Sequence, residues 1–484
     1  MGLTLAVDFG STYTKLAAFD LERERLVGTA HSRTTIEDDI TNGLEAALKK
    51  LRARVGPQAD EVDEILACSS AAGGLRIVAV GLVKALTSKA AEEAALGAGA
   101  KVVKTYSYGL SPQDVIEIEE QAPDLILLTG GTDGGNKETL VSNAQALARS
   151  SLKAPFVVAG NKMVSGQARS ILEASGKFAV VEDNVLPELD QLNVEPTRSR
   201  IREIFMNRIT QAKGLDKANA LVGGIVMPTP MAVLKGAALL ADGCQKEPGL
   251  GPLVVVDVGG ATTDVHSVAV GQPTQPNVLV KGLPEPYQKR TVEGDLGIRY
   301  NALSILEMTG LGPLLERMTA FDSAAVKNLD LAAKIERLAR DTDFVPSRQQ
   351  DLVIDLGLAQ AAVDLAMQRH AGKVREAFFA YGKAKIQRGK DLTRVGSIIG
   401  TGGVFAHGKA PFWVLEAAAF SPKRPESLRP LEAQLFIDKE YILFAMGLLA
   451  DVSPLAALNI MKKQGLKIGH SPRRALNMEP GAAG

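Results

Sequence analysis

Asp8-Phe9-Gly10-Ser11-Thr12 ends an apolar run with a carboxylate and follows it with a glycine and two hydroxyls. A glycine there lets backbone N–H groups come close to an anion, so a phosphate with its metal ion is the natural ligand. Asp257-Val258-Gly259-Gly260-Ala261-Thr262-Thr263-Asp264 repeats the same chemistry. Two strand ends could therefore close on opposite sides of one Mg2+-bound polyphosphate. Asp8 and Asp257 would bond metal-held waters, and Gly10, Ser11, Thr12, Gly259, Gly260 and Thr262 would meet phosphate oxygens. Gly400-Thr401-Gly402-Gly403 supplies a third close-approach turn, again after an apolar strand. Singly, each turn is ordinary punctuation of an α/β fold; in this order the three are far more specific.

Other residues rank lower. Lys15, three residues past Thr12, could approach a phosphate, although strand alternation can equally turn it to solvent. Asp264 closes the second turn, where it is expected to orient the loop by hydrogen bonds to its amides. His266 and His407 flank the proposed cleft without metal-ligand spacing to another His or Cys, and read as satisfied structural histidines.

Strands must carry these turns. Leu3 to Val7 and Thr14 to Phe19 read as strands around the first, with a third near Leu26 to Thr29. Ile40, Leu44, Leu48, Leu51 and Val55 share one face of a helix over residues 40–55. Apolar strands at Arg76 to Val80, Lys101 to Val103, Leu125 to Leu128, Phe156 to Ala159 and Phe178 to Val181 alternate with helical stretches, the pattern of a parallel sheet. Helix resumes from Pro196. Leu253 to Val256 and Val265 to Val270 then repeat the opening pair, followed by a mostly helical stretch from Gly297 to Ile386, a strand at Val395 to Ile399 and a closing helix from about Lys439 to Leu449. A charged helical run around Lys373 to Lys390 is expected to be solvated, and residues from Gly465 on to be loosely ordered.

Composition bounds the answer. At roughly 100 to 200 residues per domain, 484 residues imply two to four folding units. The 55 basic side chains balance the 55 acidic ones, so no global field favours nucleic acid or an acidic membrane. Cys68 and Cys244 alone exclude a disulfide framework, a four-cysteine zinc site and an iron–sulfur cluster. The opening apolar run lacks a charged leader, and no uncharged stretch approaches the length of a membrane span; a cytoplasmic protein is expected.

The order of segments resembles the superfamily shared by actin, sugar kinases and heat-shock chaperone ATPases, over most of the chain outside residues 74–184. The resemblance implies an α/β fold of two actin-like, ribonuclease H-like ATPase lobes with an inserted parallel α/β domain. The first half of lobe I would span 1–73, the insertion 74–184, the end of lobe I with a connecting helix 185–250, lobe II 251–438, and the second connecting helix and tail 439–484. It implies ATP and Mg2+ as cofactors, with phosphate loops at Asp8 and Asp257 and with Gly402 and Gly403 bordering the nucleoside. Met227-Pro228-Thr229-Pro230 resembles the entry of the first connecting helix, and Asp438 to Leu449, with Gly447, the second. Chaperone ATPases carry a glutamate where this chain has Met227, so their fast hydrolysis does not carry over. Asp257 is then the carboxylate expected to orient the attacking water.

Asp8 to Lys15, Leu127 to Asn136, Asp257 to Asp264 and Glu293 to Gly297 together resemble the MutL/GlmL-type accessory family, unrelated to the mismatch-repair protein of similar name. That resemblance implies a slow ATPase that reactivates an adenosylcobalamin-dependent mutase, glutamate mutase or an aminomutase, by nucleotide-driven lobe movement that releases damaged cobalamin. The mutase subunits would be its partners, with neither nucleic acid nor membrane. A small-molecule kinase of the sugar-kinase type and a nucleotide-gated actin-like binding or filament protein are the competing readings. The insertion loosely resembles a cobalamin-binding domain, but with no histidine between His31 and His266 it lacks the cobalt ligand. The glycine-rich run Thr129 to Asn136 is either a second anion or partner contact, or a tight crossover in which Asp133 or Asn136 caps a helix.

Overall fold

The computed structural model describes residues 2–10, 12–35, 40–70, 75–209, 222, 224–327, 329–342, 344–379 and 382–469. They divide into two compact units. The first comprises Met1–Lys235, Gly282–Lys289 and Gly447–Val452; the second comprises Gly236–Lys281, Arg290–Met446 and Ser453–Gly484.

The first unit opens with an antiparallel meander, β1 (Leu3–Phe9), β2 (Tyr13–Asp20) and β3 (Arg25–Arg33), and β4 (Val62–Ser69) lies parallel to β1. The helix Ile40–Val55 buries Ile40, Leu44, Ala47 and Leu51 beside this meander, as its spacing predicts. The chain then builds a second sheet from β5 (Arg76–Gly81), β6 (Lys101–Ser107), β7 (Leu125–Leu128), β8 (Phe156–Val158) and β9 (Ala179–Val181), all parallel. Its order is β6-β5-β7-β8-β9, a doubly wound arrangement. Alternate residues of β5 serve two cores: Ile77 and Ala79 join the core that contains Leu5 and Val7, while Val78 and Val80 join one built with Leu140 and Leu172. The chain returns as β10 (Ile225–Pro228), parallel to β4, and gives the first sheet the order β10-β4-β1-β2-β3.

The second unit begins with a two-stranded ribbon, β11 (Gly243–Cys244) and β12 (Glu247–Pro248). It continues with β13 (Leu253–Val258), β14 (Thr263–Val268), β15 (Val278–Val280), β16 (Gln288–Glu293), β17 (Lys373–Phe379), β18 (Gly382–Arg388), β19 (Ser397–Thr401), β20 (Gln434–Asp438) and β21 (Leu466–Gly469). Its main sheet runs β16-β14-β13-β19-β20-β21. In both main sheets the third, second and first strands are followed by two parallel ones, so the second unit repeats the first. The helix Gln349–His370 is buried along most of its length among Val254, Val256, Ile398 and Leu435.

Several sequence expectations need correction. The stretch expected to stay helical to Ile386 is helical only to His370; Lys373–Phe379 and Gly382–Arg388 form an antiparallel hairpin instead. Its Val, Phe and Ile residues favour a pleated surface, and pairing across Gly382 outweighs the helix-friendly charges. Lys390, at the end of that run, is buried, with Nζ 3.3 Å from the Ser267 carbonyl. Residues 466–469 are ordered against β20, and the residues beyond lie outside the described set. The closing helix starts at Leu443, because Asp438 accepts the amides of Ile442 at 3.0 Å and Leu443 at 2.9 Å and defines its entry.

Candidate functional site

Asp8 and Lys15 face each other in the β1–β2 register, and Asp8 and Cys68 face each other across β1 and β4. Directly opposed residues share a face. Asp8 is fully buried; its Oδ2 accepts from Lys15 Nζ at 2.8 Å, and its Oδ1 accepts from Thr229 Oγ1 at 2.6 Å and from Cys68 Sγ at 3.7 Å. Burial, with the Asp8 charge beside it, pushes the Cys68 thiol well above its usual range. Thr229 is the first residue of the helix Thr229–Asp242, so the helix that follows β10 is tied to the carboxylate. Lys15 is thus drawn to Asp8. Neither Cys68 nor Thr229 was expected here, because the first lies on a strand whose Asp63 and Glu64 mask its apolar end, and the second is 221 residues away.

The turn after Asp8 is tight. Gly10 N–H donates to the Tyr13 carbonyl at 3.1 Å, and a Cβ on Gly10 would sit 2.6 Å from that oxygen. Thr34 Oγ1 donates to the Gly10 carbonyl at 2.8 Å, and Thr34 N–H to the exposed Thr12 at 3.0 Å. Ser11 lies outside the described residues.

The second turn copies the first. Gly259 N–H donates to the Thr262 carbonyl at 2.9 Å, as Gly10 does to Tyr13. Asp257 faces Asp264 in the β13–β14 register, as Asp8 faces Lys15. The copies differ in charge, since an aspartate stands where the first has lysine. Asp264 accepts Arg290 Nε at 3.0 Å and Nη2 at 2.6 Å on Oδ1, and the Thr262 hydroxyl at 3.0 Å on Oδ2. It orients the loop through this hydroxyl and not through amides. Thr262 in turn gives its O–H to Asp264.

The carbonyls of Gly259, Gly260 and Ala261 are all engaged on one side. Ile298 N–H reaches the Gly259 carbonyl at 3.2 Å, Arg299 and Tyr300 N–H reach that of Gly260 at 3.0 Å each, and Asn301 Nδ2 reaches that of Ala261 at 2.8 Å. Among the described residues no peptide is cis. In a trans peptide the next N–H points opposite to the carbonyl. The amides of Gly260, Ala261 and Thr262 are therefore turned away from residues 298–301, together, in the arrangement that accepts an anion. Residues 298–301 thus support the loop from behind, and Gly297 has no room for a side chain against Ala261.

Gly402 joins this turn. Asp257 pairs with Thr401 in the β13–β19 register. Gly402 has φ +104°, and a Cβ there would lie 2.6 Å from the Val258 carbonyl and 2.8 Å from Asp257 Oδ1. Only glycine allows that approach. Gly403, exposed, starts the short helix Gly403–His407. Asp257 is half-buried, in contrast to Asp8. His266 is buried next to Asp264, and burial together with the Arg290 charge lowers it to about 3. It is neutral, but among the described residues nothing hydrogen-bonds its Nδ1, contrary to the expectation of a satisfied histidine.

Among the described residues no three His, Cys, Asp or Glu side chains are placed to hold a metal directly. Of the two strand-end carboxylates, Asp257 is the more accessible. A cavity of about 450 Å³ in the second unit is lined by Phe321, Lys409, Phe412, Trp413 and Lys467 and involves none of the three turns. In the glycine-rich run, Asp133, Gly134 and Gly135 spend their amides on Pro187, Asn161 and Thr132, Asn136 accepts the Thr139 amide, and Asp133 accepts that of Lys162. These amides are thus occupied within the chain, and Asn136 accepts at the start of the helix Glu138–Ala148.

Two units with a common strand order, each with an acidic first strand and a glycine turn, define an actin-like ATPase fold with an added parallel sheet. The chain belongs to the MutL protein family, whose model matches residues 4–465. It is 47% identical over 468 residues to "Protein MutL" of Clostridium tetanomorphum, a match that covers 97% of this chain and 100% of that one. Distant solved structures include component A of the (R)-2-hydroxyglutaryl-CoA dehydratase of Acidaminococcus fermentans, at 10% identity and TM-score 0.28 over 94% of this chain and 100% of that one. Another is a xylulose kinase of Lactobacillus acidophilus, at 10% identity and TM-score 0.35 over 99% of this chain and 95% of that one. These two likenesses are too remote to bear on function.

Proposed function

We propose that this chain is an ATP-dependent reactivating factor for an adenosylcobalamin-dependent mutase, and a slow ATPase. Whole-length membership of the MutL family supports the role. The observation that carries the nucleotide part is the duplicated turn, whose second copy directs the amides of Gly260, Ala261 and Thr262 to one side.

Gly10, Ser11, Thr12, Gly259, Gly260 and Thr262 would hold phosphate oxygens, Gly402 and Gly403 would border the nucleoside, and Asp257 would hold Mg2+ through its waters and orient the attacking water. Asp8 does a different job: buried and tied to Lys15 and Thr229, it fixes the first loop against the helix that follows β10. Bound Mg-ATP would supply the free energy of phosphoanhydride cleavage. A cofactor held at about nanomolar affinity is retained by about 12 kcal/mol, so release of damaged cobalamin needs a partner that binds the mutase differently in its two nucleotide states. Asp257→Asn keeps the shape of the site and removes its charge. Steady-state phosphate release should fall by about 100-fold or more, the usual scale for a lost charge-stabilising group. Parental turnover in that variant would overturn the assignment, and phosphorylation of a sugar or polyol by the parent would move the chain to the kinases.

A further inference from the structure

The cavity of about 450 Å³ lies wholly within the second unit and has the volume of a small-molecule site. One of its walls is aromatic. Pro411 opens the short helix Pro411–Leu415, whose Val414 and Leu415 are buried in the core and leave Phe412 and Trp413 half-buried in the cavity wall. Phe321 closes the helix Leu311–Phe321, and its ring lies 4.9 Å from that of Trp413, tilted by 50°. Three half-exposed rings thus meet in one place. The rim is cationic: Lys409 precedes the short helix and Lys467 lies on β21, and both are exposed. Gly469 of the same strand has no room for a side chain against the Phe412 ring, so β21 sits close on the aromatic wall. Among the described residues neither lysine ammonium has an ion pair or a hydrogen bond.

The charge behind the wall has the same sign. Gln360 Nε2 donates to the Trp413 carbonyl at 2.9 Å, and its Oε1 accepts from Arg317 Nη1 at 3.3 Å; Arg317 stands one helical turn before Phe321. Arg317, Arg424 at 2.9 Å and Arg429 at 2.8 Å all converge on the carboxylate of Asp364. Three guanidinium groups against one carboxylate leave an excess of positive charge, and with Arg429 buried that charge is little screened by solvent. Asp322, next to Phe321, does not balance it at the rim: its oxygens accept from the Ala325 amide and from Gln349 Nε2, at 3.0 Å each.

We propose that this cavity is a second ligand site, for a small organic anion with a flat aromatic body. The body lies against Phe321, Phe412 and Trp413, and the charged group meets Lys409 and Lys467. A cation would be repelled by the rim, a neutral apolar molecule would leave both ammonium groups without a partner, and an inorganic anion would leave the rings uncovered. The site uses none of the three glycine turns, so it stands or falls separately from the nucleotide reading.

Trp413 is the only tryptophan of the chain, so its fluorescence reports on this wall. Titration of the full chain with anilinonaphthalene sulfonate, an aromatic anion, should quench Trp413 to saturation at a single probe per chain. Lys409→Met and Lys467→Met, both at exposed positions, should each weaken binding by about threefold or more, the scale of an exposed ion pair, and Lys409→Arg should keep the parental affinity. Phenylnaphthylamine, the same aromatic body without the charge, should bind the parent about tenfold more weakly or worse, as both pairs are lost. Added salt should weaken the sulfonate and leave the neutral probe unaffected. If Trp413 is not quenched, if both lysine variants bind the sulfonate as the parent does, or if the neutral probe binds as tightly as the sulfonate, the cavity is not an anion site.

Discussion

Asp8 and Asp257 occupy equivalent places in a repeated turn and have unlike surroundings. Asp8 has Lys15, Thr229 and Cys68 around it and no exposure, while Asp257 is half-buried beside Gly402. Asp8→Asn should therefore act on stability, by about 1–3 kcal/mol in urea denaturation, because Lys15 loses its buried partner. His266 gives a pH signature. Its folded pKa of about 3 lies below the ordinary 6.5, so between these values the unfolded chain takes a proton that the folded chain refuses. Stability should fall as pH drops through that window, by at most about 1.4 kcal/mol per pH unit from this group. Urea midpoints at about pH 5 and pH 7.5 check it: His266→Phe should lose less stability between them than the parent. The glycines and aspartates of the turns were legible because their chemistry is local in sequence. Cys68, Thr229, Thr34 and Arg290 were not, since each reaches the turns only through strand pairing or tertiary contact.

At the scale of elements, strands with uninterrupted apolar runs were readable, as were the parallel strands separated by helices. β4 escaped because Asp63 and Glu64 break its pattern at the open end, and β10 because Met227-Pro228 reads as the entry to a helix. The β17–β18 hairpin and the β20–β21 pair escaped because their stability comes from partners distant in sequence, which periodicity does not record. Gly447 on the helix Leu443–Leu449 packs against Ala232 on the helix Thr229–Asp242, and a methyl group on Gly447 would collide with the Ala232 carbonyl. Gly447→Ala should cost about 1–3 kcal/mol, the usual penalty of overpacking. A denaturation midpoint equal to the parent's would show that the contact yields freely.

The whole molecule joins a repeat to an addition. Acidic and basic residues are equal in number, and no helix among the described residues is long and apolar enough to cross a membrane. Fold and family follow from the repeated strand order and from similarity along nearly the full chain; what the chain does with nucleotide is the proposal. The most direct test adds the purified chain to an adenosylcobalamin-dependent mutase inactivated by turnover, with fresh adenosylcobalamin and Mg-ATP. The mutase should recover activity only when chain and ATP are both present, and Asp257→Asn should not support recovery. Recovery equal with and without the chain, or with and without ATP, would contradict the reactivating function.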